Sequence, residues 1–275
     1  MSKNVTANDV GLILLARLMK TNELHYGYWP EGMEIRLGNL VEAQARYTEH
    51  LMAQIPEGVE RILDVGCGTG HLMSLLLERG YRVEGLTPSP MLASMAREKV
   101  GDRAVVHQTF YDENLSLEPG FDLIIFSESY QYINLEVTFT KSLELLRPGG
   151  HLLICDFFRT EEQGFSPLGG GHRLTRFHEV LSAQPFEVLS DEDITAFTAP
   201  NIDVADNLLR EYIQPVWEAF AYYFRANHPK FSWLFRKFLR KRLEKLENKF
   251  FTGQMTGAAF SKFKTYHCIL LKRKD

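Results

Sequence analysis

The sequence predicts a doubly wound α/β protein, and three observations support this. From residue 61 onward, short apolar runs alternate with segments of helical periodicity. Glycine-bearing turns at 78–80 and 147–150 close two of the helical segments, with Pro where a helix cannot continue. A glycine-rich turn at 66–70 joins the first strand to its helix. Such alternation indicates parallel strands with right-handed crossovers, and places ligands at the carboxyl ends of the strands.

Five strands are predicted in this region, each a short apolar run bounded by turn residues. They are the runs at 61–66, 81–86, 103–107, 121–126 and 151–158. Three helices separate them. They lie at 71–79, 90–99 and 136–146.

The flanking segments are predicted to be mainly helical. Thr6 and Asp9 form a capping box before a helix over 10–19, and a second helix covers 40–55. Four further elements follow residue 158. They are a helix over 175–183, a strand near 186–190, a mostly helical stretch over 203–249, and a last strand over 266–274. We expect this last strand at an edge of the sheet.

Composition excludes several classes of protein. The 275 residues are 45% hydrophobic and 24% charged, with a net charge of -4, which disfavours nucleic acid as a partner. Cys67, Cys155 and Cys268 lack the spacing of a zinc site or a disulfide framework, and no cluster of ligating residues predicts a metal. The apolar run at 10–16 is too short for a membrane span and lacks signal-peptide features, so we expect a cytoplasmic protein.

The turn ILDVGCGTG has the form of a ligand-binding strand–helix junction. Asp64 lies near the strand end, and Gly66, Gly68 and Gly70 precede the helix that starts at His71. Glycines allow close approach of a ligand to the backbone, and the free N–H groups of the helix start face it. A dinucleotide fingerprint would need glycine at position 71, which argues against NAD.

This G-x-G-x-G spacing after an acidic strand end resembles motif I of class I S-adenosylmethionine-dependent methyltransferases. FDLIIFSESYQYI and LELLRPGGHLLICDFF are similar to the family's fourth strand, helix, turn and fifth strand. The resemblance implies S-adenosylmethionine as cofactor and a Rossmann-like, doubly wound, seven-stranded sheet with an antiparallel last strand, N-terminal helices and a helical cap. By the same resemblance, the cofactor-binding residues at the turn are Asp64, Gly66, Cys67, Gly68 and Gly70.

We expect a single methyltransferase domain over residues 1–275. Its parts are an N-terminal helical lid (1–55), a cofactor-binding core (56–158), substrate-side insertions with a helical cap (159–249), and the final strand (250–275).

The second strand ends in GLTPSP, where most of the family carries an acid for the ribose hydroxyls. This segment resembles one in tocopherol and isoprenoid diphosphate C-methyltransferases and in cyclopropane synthases, so Thr87 and Ser89 become cofactor-binding candidates. The alternative is that both are turn residues before a helix that starts with Pro. After the third strand, the candidates for lining the adenine are Gln108, Thr109 and Phe110.

Ser127-Glu128-Ser129 follows the fourth strand and is similar to the M-E-S segment of tocopherol methyltransferases. The resemblance places Ser127 at the cofactor and makes Glu128 the catalytic candidate. A carboxylate there could remove a proton from the methylated centre, stabilise a carbocation, or orient an amine. The alternative is a helix cap or a satisfied loop carboxylate.

Aromatic loops supply the candidates for substrate binding. LHYGYW resembles the H-x-G-[YF] loop that precedes the core in tocopherol and glycine-betaine-forming methyltransferases. Aromatic faces bury apolar chains or stabilise cations, although some of these rings could simply pack the N-terminal segment. The candidates are His25, Tyr26, Tyr28, Trp29, Tyr130, Gln131, Tyr132 and His172.

A basic segment with apolar residues at helical spacing runs from Arg225 to Lys249. Residues 230–249 are candidates for peripheral membrane contact, or they pack on the core. We expect a methyltransferase acting on an apolar or amphipathic small molecule (isoprenoid, phenolic or lipid-like), on carbon. The alternatives are N-methylation of a small amine and a non-catalytic S-adenosylmethionine-binding protein. The substrate, the methylated atom (C, N or O), the pathway and the oligomeric state stay open.

Overall fold

The structure is a computed structural model that describes residues 23–164, 168–230, 233 and 255–274. The helix predicted over 10–19 lies outside these residues, as does most of the basic segment 230–249. None of the described helices is long and apolar enough to cross a membrane.

Within the described residues, seven strands form a single sheet in the order β3-β2-β1-β4-β5-β7-β6. Strands β1 to β5 pair in parallel, and β7 is antiparallel to both of its neighbours. This confirms the predicted fold class. The strands are β1 (Arg61–Val65), β2 (Arg82–Leu86), β3 (Val105–His107), β4 (Phe121–Ser127), β5 (Leu146–Arg159), β6 (Phe186–Asp193) and β7 (Lys264–Arg273).

Helices cover both faces of the sheet and continue beyond β6. The first helices of the core start where the sequence predicts, with Pro90 at the first turn of α3 and Asn134 capping α4. The helices are α1 (Leu40–Ala53), α2 (His71–Glu78), α3 (Pro90–Val100), α4 (Leu135–Leu145), α5 (Leu174–Ser182), α6 (Thr195–Thr198), α7 (Pro200–Leu208), α8 (Gln214–Asn227) and α9 (Gly257–Phe263). A π-helical turn, Leu209–Ile213, joins α7 to α8.

The prediction that the last strand lies at a sheet edge is wrong. β7 lies between β5 and β6, with Cys155 opposite Cys268 and Val188 opposite Leu271. Its side chains are buried on both faces over most of its length, as expected of an inner strand, whereas those of β6 are mostly exposed. The edges of the sheet are β3 and β6.

Successive strand residues point to opposite faces, so the strands divide the core into two apolar layers. Ile62, Leu123 and Leu153 belong to the layer beneath α1, α2 and α3, whereas Leu63 and Ile124 belong to the layer beneath α4 and α5. The chain reverses its winding direction between β1 and β4. The carboxyl ends of these two strands therefore lie side by side, where such sheets bind ligands.

Candidate active site

The turn after β1 requires glycine at three positions. Gly66, Gly68 and Gly70 have φ values of 82°, 55° and 78°, in the left-handed region that side chains avoid. A Cβ at Gly66 would collide with the Cβ of Ser129, and a Cβ at Gly70 would lie 2.9 Å from the Cα of Ala96. The turn therefore brings the start of α2 against α3 and against the loop after β4.

The residues at this turn fit the expected cofactor. Asp64 is 2% exposed, its Oδ2 has no hydrogen-bond partner among the described residues, and burial raises its pKa to about 7. An unpaired buried acceptor beside a glycine backbone suits a ligand that carries hydrogen-bond donors. The Cys67 side chain instead packs inward toward Gly85, whose Cβ would lie 3.0 Å from the Cys67 Sγ.

Thr87 and Ser89 shape the turn after β2. The Ser89 hydroxyl caps α3 by accepting the Leu92 N–H at 3.4 Å, and the Thr87 Oγ1 accepts the Ser89 N–H at 3.4 Å. Both residues are buried, at 3% exposure for Thr87 and 7% for Ser89. The geometry is that of the turn alternative, and binding of the cofactor by these hydroxyls stays a prediction. Gln108 and Phe110 are exposed and Thr109 is half-buried beyond β3.

We expect Thr87→Asp to weaken binding of S-adenosylhomocysteine by at least about tenfold, because a carboxylate at this buried position would lose hydration without a cationic partner. Titration calorimetry measures the affinity, and Thr87→Ser, which keeps the hydroxyl, is the matched control. An affinity equal to or better than that of the parent would contradict the view that Thr87 and Ser89 replace the usual acid.

Glu128 follows β4 in a strained conformation. Its φ of 52° is the only positive value at a non-glycine position in the described residues. Its Oε1 accepts the Tyr26 N–H at 2.7 Å and the Tyr266 O–H at 2.8 Å. Burial raises the pKa of this carboxyl, while the charge of His25 and these two hydrogen bonds act against the rise. Donors from opposite ends of the chain thus fix the carboxylate.

Two tyrosines that the sequence reasoning missed connect Glu128 to the core. The Tyr266 hydroxyl lies 3.0 Å from the Tyr47 hydroxyl, which in turn lies 3.1 Å from the Ser127 Oγ. Both rings are fully buried. Ser127, predicted at the cofactor, is thereby part of the network that supports Glu128.

Asp156 is a second buried carboxylate that was missed. It is 0% exposed and accepts the N–H of Gln131 at 3.0 Å and that of Phe157 at 2.7 Å. Burial, and then the nearby charge of Glu128, raise its pKa to about 8. An acid inside the apolar run LLICDFF was the signal that could have found it.

Glu23 pairs with two histidines beside the glycine turn. It pairs with His25, with His71 at 3.0 Å, and with the Thr48 hydroxyl at 2.8 Å. Burial opposes ionisation of Glu23, but these hydrogen bonds lower its pKa to about 2. Burial also opposes the charge of His25, but the carboxylates of Glu23 and Glu128 raise its pKa. The predicted loop residue His25 thus belongs to a charged cluster at the start of α2.

Two of the four predicted N-terminal residues approach Glu128 and two do not. His25 acts on it by charge, and Tyr26 donates its N–H. Tyr28 instead stacks against Phe197, with a centroid distance of 4.5 Å. Trp29 is 3% exposed and packs in a small cluster with Leu40, Ala43 and Val204.

The other residues predicted to bind substrate lie in different environments. Tyr130 is buried in the layer under α4 and α5, and Tyr132 is 77% exposed. The His172 ring contacts the backbone carbonyls of Tyr130 at 3.3 Å and Ile133 at 2.8 Å. Gln131 reaches Asp156 with both its backbone N–H and its side-chain amide. Substrate contact by any of them stays a prediction.

An aromatic cluster lies next to Glu128. The Tyr26 ring centroid is 6.5 Å from that of Phe157, 6.1 Å from that of Phe260 and 6.0 Å from that of Tyr266. Phe157 and Phe260 also meet edge to face at 6.1 Å. Glu128 and this aromatic cluster therefore lie together at the carboxyl ends of β4 and β5.

One known protein resembles about half of this chain in sequence. Methyltransferase GfsG of Streptomyces halstedii is 32% identical over 150 residues, which make up 52% of this chain and 53% of that protein. The match thus spans about half the length of this relative.

Two solved structures match almost the full chain. One is a Galdieria sulphuraria protein assigned as a sarcosine dimethylglycine methyltransferase, with TM-score 0.70, 16% identity, and coverage of 97% and 99% of the two chains. The other is geranyl diphosphate C-methyltransferase from Streptomyces coelicolor, with TM-score 0.67, 15% identity, and coverage of 99% and 100%. At this identity the likeness shows the fold alone.

A direct match to a family model shows the family to which this chain belongs. A family model described as a methyltransferase domain matches residues 40–245. The chain therefore belongs to the methyltransferase domain family, and the sequence-based prediction of an S-adenosylmethionine-dependent methyltransferase is confirmed at the level of family and fold.

Proposed function

We propose that this chain transfers a methyl group from S-adenosylmethionine to a carbon atom of an apolar or amphipathic small molecule. The observation that carries the proposal is Glu128: a buried carboxylate, held by two donors, that lies between the glycine turn and an aromatic cluster. An isoprenoid, phenolic or lipid-like substrate suits a site lined by this aromatic cluster. The fold neighbour from Streptomyces coelicolor acts on geranyl diphosphate, which is of this class.

The proposed cofactor residues are those at the ends of β1 and β2. Asp64 supplies an unpaired acceptor, and the left-handed glycines 66, 68 and 70 expose the backbone. S-adenosylmethionine, when bound, supplies an electrophilic methyl group on a sulfonium centre. The chain contributes mainly orientation and exclusion of water.

Glu128 is proposed to receive the proton that leaves the methylated carbon, or to stabilise a cation formed there. Burial raises its pKa, which makes it a stronger base than an exposed glutamate. Tyr26 and Tyr266 hold its Oε1, so the other oxygen, Oε2, is proposed to take the proton. The rings of Phe157 and Phe260 are proposed to keep water away and to favour a positive centre.

N-methylation of a small amine is the second candidate. Two carboxylates, Glu128 and Asp156, lie near aromatic faces, and such a set suits an ammonium group. The neighbour assigned as a sarcosine dimethylglycine methyltransferase is consistent with it. Non-catalytic binding of the cofactor is disfavoured, because a binder needs no buried carboxylate at this place. A cytoplasmic location and membrane contact through 230–249 remain predictions.

A labelled-methyl assay tests the proposal. The protein is incubated with methyl-¹³C S-adenosylmethionine and an organic-solvent extract of cells, and the products are resolved by mass spectrometry and carbon NMR. We expect label in an apolar product, at a chemical shift typical of a methyl on carbon. Label on nitrogen would favour the amine alternative, and no label in any product would contradict methyl transfer.

A thermal-shift measurement tests the cofactor independently of the substrate. S-adenosylhomocysteine at about 100 times its dissociation constant would stabilise the native state by about 2.7 kcal/mol. We therefore expect a clear rise in Tm with this ligand and none with NAD. Stabilisation by NAD alone would contradict the cofactor assignment.

A further inference from the structure

Lys264 is a buried cation without an anionic partner in the described part of the chain. The residue is 1% exposed, and its Nζ donates to the carbonyl oxygens of Gly169 (3.4 Å) and Gly170. Its ammonium lies 5.2 Å from the Phe157 ring centroid. Arg159, opposite it on β5, is also a cation. Buried charges are normally paired, because desolvation of a lone charge is costly.

This position faces the proposed substrate site. β7 is antiparallel to β5, so its first residues lie at the carboxyl end of β5. Lys264 and Tyr266 are two residues apart and share one face of the sheet, roughly 7 Å apart along the strand. The Tyr266 hydroxyl holds Glu128, and Phe157 connects the lysine to the Tyr26 ring. Lys264 and Glu128 thus lie at opposite ends of the aromatic cluster.

The glycine loop before α5, residues 169–171, lies against Lys264. Gly170 and Gly171 have φ values of 77° and 78°. A Cβ at Gly170 would lie 2.6 Å from the Gln131 Oε1, and one at Gly171 would lie 3.1 Å from the Phe157 ring. The loop is therefore packed against the residues that surround Asp156 and the aromatic wall, with no room for side chains.

We propose that Lys264 binds an acidic group, a carboxylate or a phosphate ester, at one end of a substrate whose apolar body lies along Tyr26, Phe157 and Phe260 and whose reacting carbon lies at Glu128. This inference rests on the proposed function and names its substrate class: an amphipathic acid rather than a neutral lipid or an amine. The anion would supply the charge that Lys264 lacks.

Electrostatics agrees with this assignment. Burial, and then the charge of Arg159, lower the pKa of Lys264 to about 8, so the ammonium form still predominates at neutral pH. A bound anion would reverse part of this effect. A cationic amine at the same end of the cluster would be repelled.

Three ten-carbon probes test the inference: decanoate, decyl phosphate and neutral 1-decanol, each below its micelle concentration. Their affinities for the protein saturated with S-adenosylhomocysteine are measured by calorimetry for the parent, Lys264→Met, Lys264→Arg and Lys262→Met. Lys262 is an exposed lysine on the last turn of α9 and serves as the matched control. The two anions distinguish a carboxylate from a phosphate ester.

We expect at least one anion to bind the parent about 10- to 100-fold more tightly than decanol, as for a charge-assisted contact. Lys264→Met should remove that preference, and Lys264→Arg and Lys262→Met should keep it. If neither anion exceeds decanol, or if Lys264→Met weakens all three probes equally, the lysine only fastens the glycine loop and the inference fails. The assay needs no turnover, so absence of methyl transfer in the labelling assay is a separate result.

Should Lys264→Met not fold, as judged by Tm and circular dichroism, Lys264→Gln takes its place in the same comparison, because glutamine also removes the charge. Loss of the anion preference in Lys264→Gln, with the affinity for decanol retained, supports the site. An unchanged preference for the anion overturns it.

Discussion

Glu128→Gln should lower kcat for methyl transfer by about 10²- to 10⁴-fold, the usual range for loss of a general acid or base. Glutamine has nearly the same volume, and its amide oxygen can still accept from the Tyr26 N–H and the Tyr266 O–H. It cannot take up a proton or balance a positive charge. We therefore expect S-adenosylhomocysteine affinity and Tm to change little, while single-turnover transfer slows.

The pH profile separates a chemical role from a structural one. Burial raises the pKa of Glu128, and a base must be deprotonated, so parent activity should rise as pH increases through that raised pKa. The residual activity of Glu128→Gln should lack this rise with pH. Glu113→Gln, at an exposed position, is the control and should retain parent activity. Full activity of Glu128→Gln would refute the catalytic assignment.

Gly66→Ala should have the largest effect on the fold of the site. The left-handed conformation at φ 82° costs a side chain roughly 1–3 kcal/mol. The collision of the new Cβ with Ser129 adds a further cost, about 1–3 kcal/mol for overpacking. We expect Tm to fall by several degrees. Binding of S-adenosylhomocysteine should be lost, because the turn must shift to make room for the alanine side chain.

Gly58→Ala separates these two costs. Gly58 has φ 77°, but a Cβ there would meet nothing within 4 Å. Gly58→Ala should lower Tm only by the amount that corresponds to the cost of the left-handed conformation. The affinity for S-adenosylhomocysteine, measured by calorimetry, should be unchanged. Equal losses of Tm and of affinity in the two variants would show that close packing at Gly66 has no special role.

The central framework was predictable because its signals are local. The apolar run of β1, the glycine turn and the helix that follows occupy residues 61 to 78 without interruption. Each signal reflects the chain's own conformational preferences: alternation for strands, glycine for left-handed turns, and Pro90 at a helix start. The predicted and observed bounds of these elements differ by a residue or two.

The polar network around Glu128 was not predictable in the same way. Tyr266 lies 138 residues from Glu128 and 219 residues from Tyr47 along the chain. No local pattern marks a tyrosine whose hydroxyl will meet a carboxylate, because only the sheet order brings β7 beside β5. The misplacement of β7 at an edge therefore concealed both Tyr266 and Lys264. Asp156 differs, since an acid within an apolar run is itself a signal.

The central position of β7 has a consequence for the order of folding. β6 is made before β7, yet among the strands of the described residues β7 is its one hydrogen-bonded neighbour. During synthesis, β5 and β6 must remain without this partner until residues 264–273 emerge, which leaves the backbone groups of β5 open to unwanted pairing. The contact between Tyr266 and Glu128 is formed in the same late step. Assembly of the polar network around Glu128 thus coincides with closure of the sheet.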